Sequence, residues 1–167
     1  VDGQYDILIG TQMITKGWDL PNIDLIGIIS SDTVLNLPDF RSYERTFQLV
    51  TQVAGRTGRG KDQGQVILQT YNPENSVIKS ASNHDFIKFY EKEIIERKNL
   101  DYPPYFSLVK LIYKGKAINE VRRKAEKLAN DLDEYIDKNK LSVNLLGPAP
   151  SFISKKRGMY YGQIILK

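Results

Sequence analysis

The chain has 167 residues, 41% hydrophobic and 26% charged, the balance of a folded globular protein and not of a disordered or fibrous one. It has length for one ordinary domain or two small ones. Zero cysteines exclude disulfides and thiolate metal sites, and a single histidine leaves little for an imidazole site. No apolar run nears the roughly 20 residues of a membrane helix, and the start carries no basic-then-apolar secretory pattern. A cytoplasmic protein with no membrane partner is therefore expected. The net charge of +4 is a mild bias toward polyanions. It gathers in three runs, Arg56-Arg59-Lys61, Arg122-Arg123-Lys124 and Lys155-Lys156-Arg157, each of which a solvated face would also explain.

In chain order, residues 5–11 predict a short strand ending in Gly10-Thr11, followed by a polar loop rich in breakers (Gly17, Pro21, Asn22). Ile23 to Ile29 is a near-continuous apolar run, the pattern of a strand covered on both faces. The spacing of Tyr43, Phe47, Val50 and Ala54 predicts a helix over 39–54, with Asp39 able to cap it and Gly55 to stop it. Residues 64–70 predict another strand. Strand, helix, strand favours a parallel α/β layer with right-handed crossovers, whose ligands gather at the carboxyl ends of the strands. Three strands are fewer than such a sheet usually holds, so the chain is expected to open partway through a domain. A helix over 76–98 carries Phe86, Phe89, Tyr90 and Ile94 on one side, and Pro103-Pro104 breaks the pattern. Beyond it come a strand over 107–113, an amphipathic helix from about 118 to 138, a strand over 143–146, a turn at Gly147 to Ser151, and an end strand over 160–166. The expected fold class is α/β, a partial parallel sheet with helices, then a small α+β (β-α-β-β) domain. The domains are 1–75, a helical connector and Pro-Pro linker at 76–105, and 106–167. Tyr102 and Tyr105 are expected to pin the linker to the first domain, and His84 beside Asp85 to sit at the surface or cap a helix.

The stretch Thr51-Gln52-Val53-Ala54-Gly55-Arg56-Thr57-Gly58-Arg59-Gly60 sets two arginines three positions apart among three glycines. The planar guanidinium binds phosphate oxygens in pairs, and glycines let backbone N–H groups come close to a ligand. A surface turn is the bland alternative. About 35 residues earlier stand Gly10-Thr11-Gln12 and Lys16-Gly17-Trp18-Asp19. With these two blocks the sequence resembles superfamily 2 helicases, whose fifth motif reads Thr…Gly-x-Asp and whose sixth reads Gln-x-x-Gly-Arg-x-Gly-Arg. The fuller wording, "DILIGTQMITKGWDLPNIDLIGIISSD", "LNLPDFRSYERTFQLVTQVAGRTGRG", "GQVILQTYNPE", "FYEKEIIERKNLDYPPY" and "LLGPAPSFISKKRG", resembles the PriA family of primosomal replication-restart helicases, also called primosomal protein N′, in five ordered blocks.

The resemblance implies the C-terminal part of a second RecA-like lobe joined to the start of a C-terminal domain, in an ATP-dependent DNA helicase that moves 3′ to 5′. By the family pattern Gly17 and Asp19 touch the nucleotide, Gln52, Arg56 and Arg59 face the triphosphate with Arg59 as arginine finger, and Thr11, Gln12 and Lys16 contact DNA. ATP with magnesium is the implied cofactor. Forked or single-stranded DNA, primosome proteins and single-strand-binding proteins are the implied partners. The family's zinc cluster has no ligands here, its phosphate-loop lysine and Asp-Glu pair are absent, and Met159 and Tyr161 stand where an Arg-aromatic-Arg is usual. The chain alone is thus expected to be inactive as an ATPase. The rival reading is a stand-alone module that binds forked DNA or primosome proteins without catalysis. Trp18 fits base stacking or a core position, and the basic turn at 155–158 fits phosphate binding or plain solvation.

Overall fold

The computed structural model describes residues 6–11, 23–55 and 64–167. They divide into two compact units, Val1–Ile94 and Ile95–Lys167. Among the described residues no helix is long and apolar enough to cross a membrane.

In the first unit, β1 (Leu25–Ile28) and β2 (Gln65–Leu68) pair in parallel, Leu25 opposite Gln65 and Ile28 opposite Leu68. A parallel pair needs a crossover. Here α1 (Asp32–Leu35) and α2 (Ser42–Ala54) supply it. Helix α2 turns Phe47, Val50 and Val53 inward. Buried Thr46 sits on the same side, its hydroxyl satisfied by donating to Ser42 O at 2.8 Å. The helix begins three residues later than the pattern suggested. Asp39 accepts from Arg41 N at 2.9 Å and pairs with Arg45 at 3.0 Å, so it closes the turn ahead of α2 instead of capping it.

The expected helix over 76–98 is two helices, α3 (Ser76–Ser82) and α4 (Phe86–Asn99). Asn75 caps α3 by accepting from Val77 N at 2.9 Å. His84 then takes a left-handed φ of 53°, and Asp85 restarts the helix by accepting from Lys88 N at 3.0 Å. The chain spends the break on turning α4 into the core. Phe89 stacks on Phe47 with ring centroids 4.4 Å apart, and Phe86 meets Phe47 edge-on at 6.0 Å. These rings join Leu35, Val50, Val77, Ile78 and Ala81, with Ile28, Tyr43 and Leu68 packed against them. The strand expected over 5–11 does not form among its described residues 6–11. Ile7 and Ile9 are 79% and 89% exposed, and neither lies in a ladder.

The second unit is the expected β-α-β-β. β3 (Val109–Gly115), α5 (Ile118–Lys138), β4 (Leu145–Lys156) and β5 (Met159–Leu166) form an antiparallel sheet of order β3-β5-β4 with the helix across it. Helix α5 buries Val121, Ala125 and Ala129, and Val121 lies close over Gly115 and Gly162, while Ile164 of β5 is fully buried. Gly147-Pro148-Ala149-Pro150-Ser151, expected as a turn, lies within β4. Prolines are tolerated there because β4 is an edge strand, and its register against β5 slips between Leu146 and Ala149 and again between Pro150 and Lys155. The tyrosines around the prolines meet lysines of this unit. Lys167 Nζ lies 4.1 Å from the Tyr102 ring centre and donates to Leu100 O at 2.8 Å, and Tyr105 lies 5.9 Å from Lys98 Nζ.

Candidate functional site

Two stretches carry the residues picked out by the sequence. Gln12, Lys16, Gly17 and Asp19 of the first, and Arg56 and Arg59 of the second, lie outside the described residues. Thr11 and Gln52, at their leading edges, are described and exposed.

Gln52 sits in the last turn of α2 on the side opposite Phe47, Val50 and Val53. It continues an exposed polar stripe of Arg45 and Gln48, spaced three and four apart as a helix face requires. Arg45 is held by Asp39, and Gln48 donates to Glu44 at 3.1 Å. The helix ends at Gly55, whose N–H closes on Thr51 O at 3.0 Å, immediately ahead of Arg56. Gln52 stands four positions ahead of Arg56 in the sequence.

The residues leaving the two stretches are neighbours. Gln65 N donates to Asp24 O at 2.7 Å, just where β1 and β2 begin. Both stretches thus hand over to the amino ends of adjacent parallel strands. Beyond Gly10 and Thr11, the residues expected to line a carboxyl-end cleft themselves lie outside the described ones. The carboxyl ends are instead tied to each other. Asp32, in the first turn of α1, accepts from Thr70 Oγ1 at 2.9 Å and from Tyr71 N at 3.1 Å. Ser31 donates to Gln69 O through both its N–H and its hydroxyl at 3.3 Å. Ser30, just ahead, takes a φ of 59°, strained for a non-glycine residue. Sequence reasoning missed Asp32. Its partners lie 38 and 39 residues away, and only the parallel register brings them together.

Among the described residues no group of three or more His, Cys, Asp or Glu side chains could hold a metal ion.

The chain is similar to known proteins. Residues 98–167 match the family described as Primosomal protein N C-terminal domain. Over 99% of its length the chain is 42% identical to Replication restart protein PriA of Bacillus subtilis (strain 168), and it covers 20% of that protein. It is 42% identical over 99% of its length, and 20% of the relative, to Replication restart protein PriA of Synechocystis sp.. With Replication restart protein PriA of Treponema pallidum (strain Nichols) it shares 40% identity over 99% of its length and 25% of the relative. The chain spans about a fifth to a quarter of these relatives.

Proposed function

The chain belongs to the PriA family of replication restart proteins, and from that premise we propose that it is a segment of an ATP-dependent 3′–5′ DNA helicase acting in replication restart and primosome assembly. In this reading residues 1–75 end the second RecA-like lobe, 76–105 are the helical connector and Pro-Pro linker, and 106–167 open the C-terminal α+β domain. DNA is the track. Primosome and single-strand-binding proteins are the partners, and the setting is the cytoplasm.

ATP, with its magnesium, supplies the phosphoryl transfer. This chain's residues position it. Arg59 is the arginine finger, stabilising charge on the transferring group, and Arg56 and Gln52 hold phosphate oxygens beside it. Gly17 and Asp19 contact the ribose side, while Thr11, Gln12 and Lys16 hold the DNA backbone. A loop that touches DNA at its start and nucleotide at its end would convert closure on ATP into a shift of grip on the strand. The phosphate loop and the magnesium carboxylates come from a first lobe, and zinc ligands from outside a chain that has no cysteine.

One observation carries this reading. Both motif-bearing stretches leave into neighbouring parallel strands, with Gln65 N on Asp24 O, so one ligand could reach both. In the intact enzyme, Arg59→Ala is expected to cut DNA-stimulated ATP turnover by about 10³–10⁵ while DNA affinity stays within a few-fold. The 167-residue chain alone is expected to show no turnover. Turnover by the chain alone at helicase rates would overturn the assignment. An intact enzyme indifferent to Arg59→Ala would favour the stand-alone binding module.

A further inference from the structure

The arginine stretch joins two anchors, Gly55 at the end of α2 and Gln65 at the start of β2. Where its guanidinium groups come to rest depends on how firmly those anchors are fixed to each other. Among the described residues β2 is held to β1 by four ladder pairs, and Leu25 and Ile67 on the outer face are more than half exposed. A strand pair of that length is marginal by itself.

A second tie exists. The half-buried Asp32 gives each carboxylate oxygen its own donor, the Thr70 hydroxyl at 2.9 Å and Tyr71 N at 3.1 Å. Bonds to an ionised carboxylate are the strong kind. The Thr70 oxygen is oriented in turn, accepting from Asn72 N at 3.1 Å. Ser31, 2% exposed, adds its N–H and its hydroxyl on Gln69 O. Residues 31–32 are thus bonded to 69–71, just past the end of β2. On the other side, α1 packs against α2, and Leu35 of α1 shares a buried cluster with Phe47 and Val50 of α2. A continuous series of hydrogen-bonded and packed groups therefore links β2 to α2 through Asp32. It fixes the two anchors against each other independently of the ladder.

We propose that Asp32 is a positioning residue for phosphoryl transfer. By tying the end of β2 to the helices that lead into the arginine stretch, it holds Arg59 at its productive distance from the triphosphate. It rests on the ATP-driven reading above and adds a residue that acts without touching ATP or DNA. The tolerance of such a site is narrow, since a 1 Å misplacement costs about 10²-fold in rate. An arginine finger works on the transition state, so its displacement lowers kcat and spares KM.

The intact enzyme supplies the test. Thr70→Val removes the hydroxyl and keeps the shape. It is expected to lower DNA-stimulated kcat about 10–100-fold, with KM for ATP and DNA affinity within a few-fold. Thr70→Ser keeps the donor and should keep wild-type kcat. Asp32→Asn, which loses the acceptor for Tyr71 N, should repeat the kcat loss and serves if Thr70→Val does not fold. Asn75→Ala strips the cap of α3 in the same unit at comparable cost to stability, and should lower the melting temperature while leaving kcat alone. The decisive arm combines Thr70→Val with Arg59→Lys, which keeps the charge and loses the planar fork. Acting through Arg59, the Thr70 change should cost far less there than in wild type. An equal loss in both backgrounds overturns positioning in favour of a general loss of stability, as does a matching kcat loss in Asn75→Ala. Wild-type kcat in both Thr70→Val and Asp32→Asn overturns it outright. Failure here is separable from failure of the motor. Arg59-dependent turnover with silent Thr70 and Asp32 variants removes only the tie, whereas turnover indifferent to Arg59→Ala removes the motor and the tie with it.

Discussion

In the first unit the space between helices and strands is filled by rings and branched side chains, Phe47 and Phe89 stacked beneath Leu35, Val50 and Ile78. In the second it is thinned to glycine and alanine. Gly115 and Gly162 lie under Val121, in a unit that also buries Ala125, Ala129 and Ile164. The units are therefore vulnerable in opposite directions. Where large side chains set the spacing, removing one leaves a void. Where the absence of a side chain sets it, adding a methyl does the damage. The sheets differ too. The second unit has a middle strand paired on both sides, whereas the described strands of the first are a single parallel pair with Leu25 and Ile67 more than half exposed.

The sharpest way to break this contrast is Phe47→Ala. It is expected to cost about 3–5 kcal/mol and to strip hydrogen-exchange protection from α2, α3 and α4 while the β3–β5 ladder keeps its own. Equal loss in both units would show that they share one stability. Gly115→Ala follows in size. A Cβ there would stand 2.8 Å from a methyl of Val121, a branched side chain that cannot swing away, so about 1–3 kcal/mol should be lost in urea unfolding. Val121→Ala in that background should recover part of the loss, whereas the same change alone destabilises. The smallest effect is Glu120→Gln. The Lys124 ammonium, through its hydrogen bond and its charge, holds the Glu120 carboxyl below the usual range. Its contribution is therefore present at neutral pH and lost as pH falls through the lowered value. Melting temperatures of wild type and variant should differ slightly at pH 7 and converge as acid protonates the carboxyl, the difference shrinking with added salt.

How much the sequence disclosed follows from where each signal lies. Helix α5 was readable from the stripe Ile118, Val121, Ala125, Leu128, Leu132 and Tyr135 on a charged cylinder, although Ile118 and Tyr135 at its ends are exposed and Ala129 is buried instead. The β-α-β-β order and the parallel pair were readable for similar local reasons. The break between α3 and α4 was hidden, since apolar residues continue on either side and the turn depends on Asn83, His84 and Asp85 acting together. The prolines of β4 misled in the other direction, because proline breaks a ladder only where an N–H is needed and an edge strand spares it. Tyr102 meets Lys167, a contact no spacing rule contains. At the candidate site, Gln52 and Thr11 were legible from motif wording alone, but the meeting of Asp24 with Gln65 needed the register of two strands.

Asp32 has a mechanical consequence. It begins a short helix just past β1, yet it takes its hydrogen bonds from the two residues where the chain departs β2. A pull on the segment after Thr70 is thus shared at once by the root of the crossover and need not climb through four ladder pairs to reach it. The β-α-β loop is thereby closed at both rims, by the Asp32 carboxylate at the far one and by Gln65 N on Asp24 O at the near one.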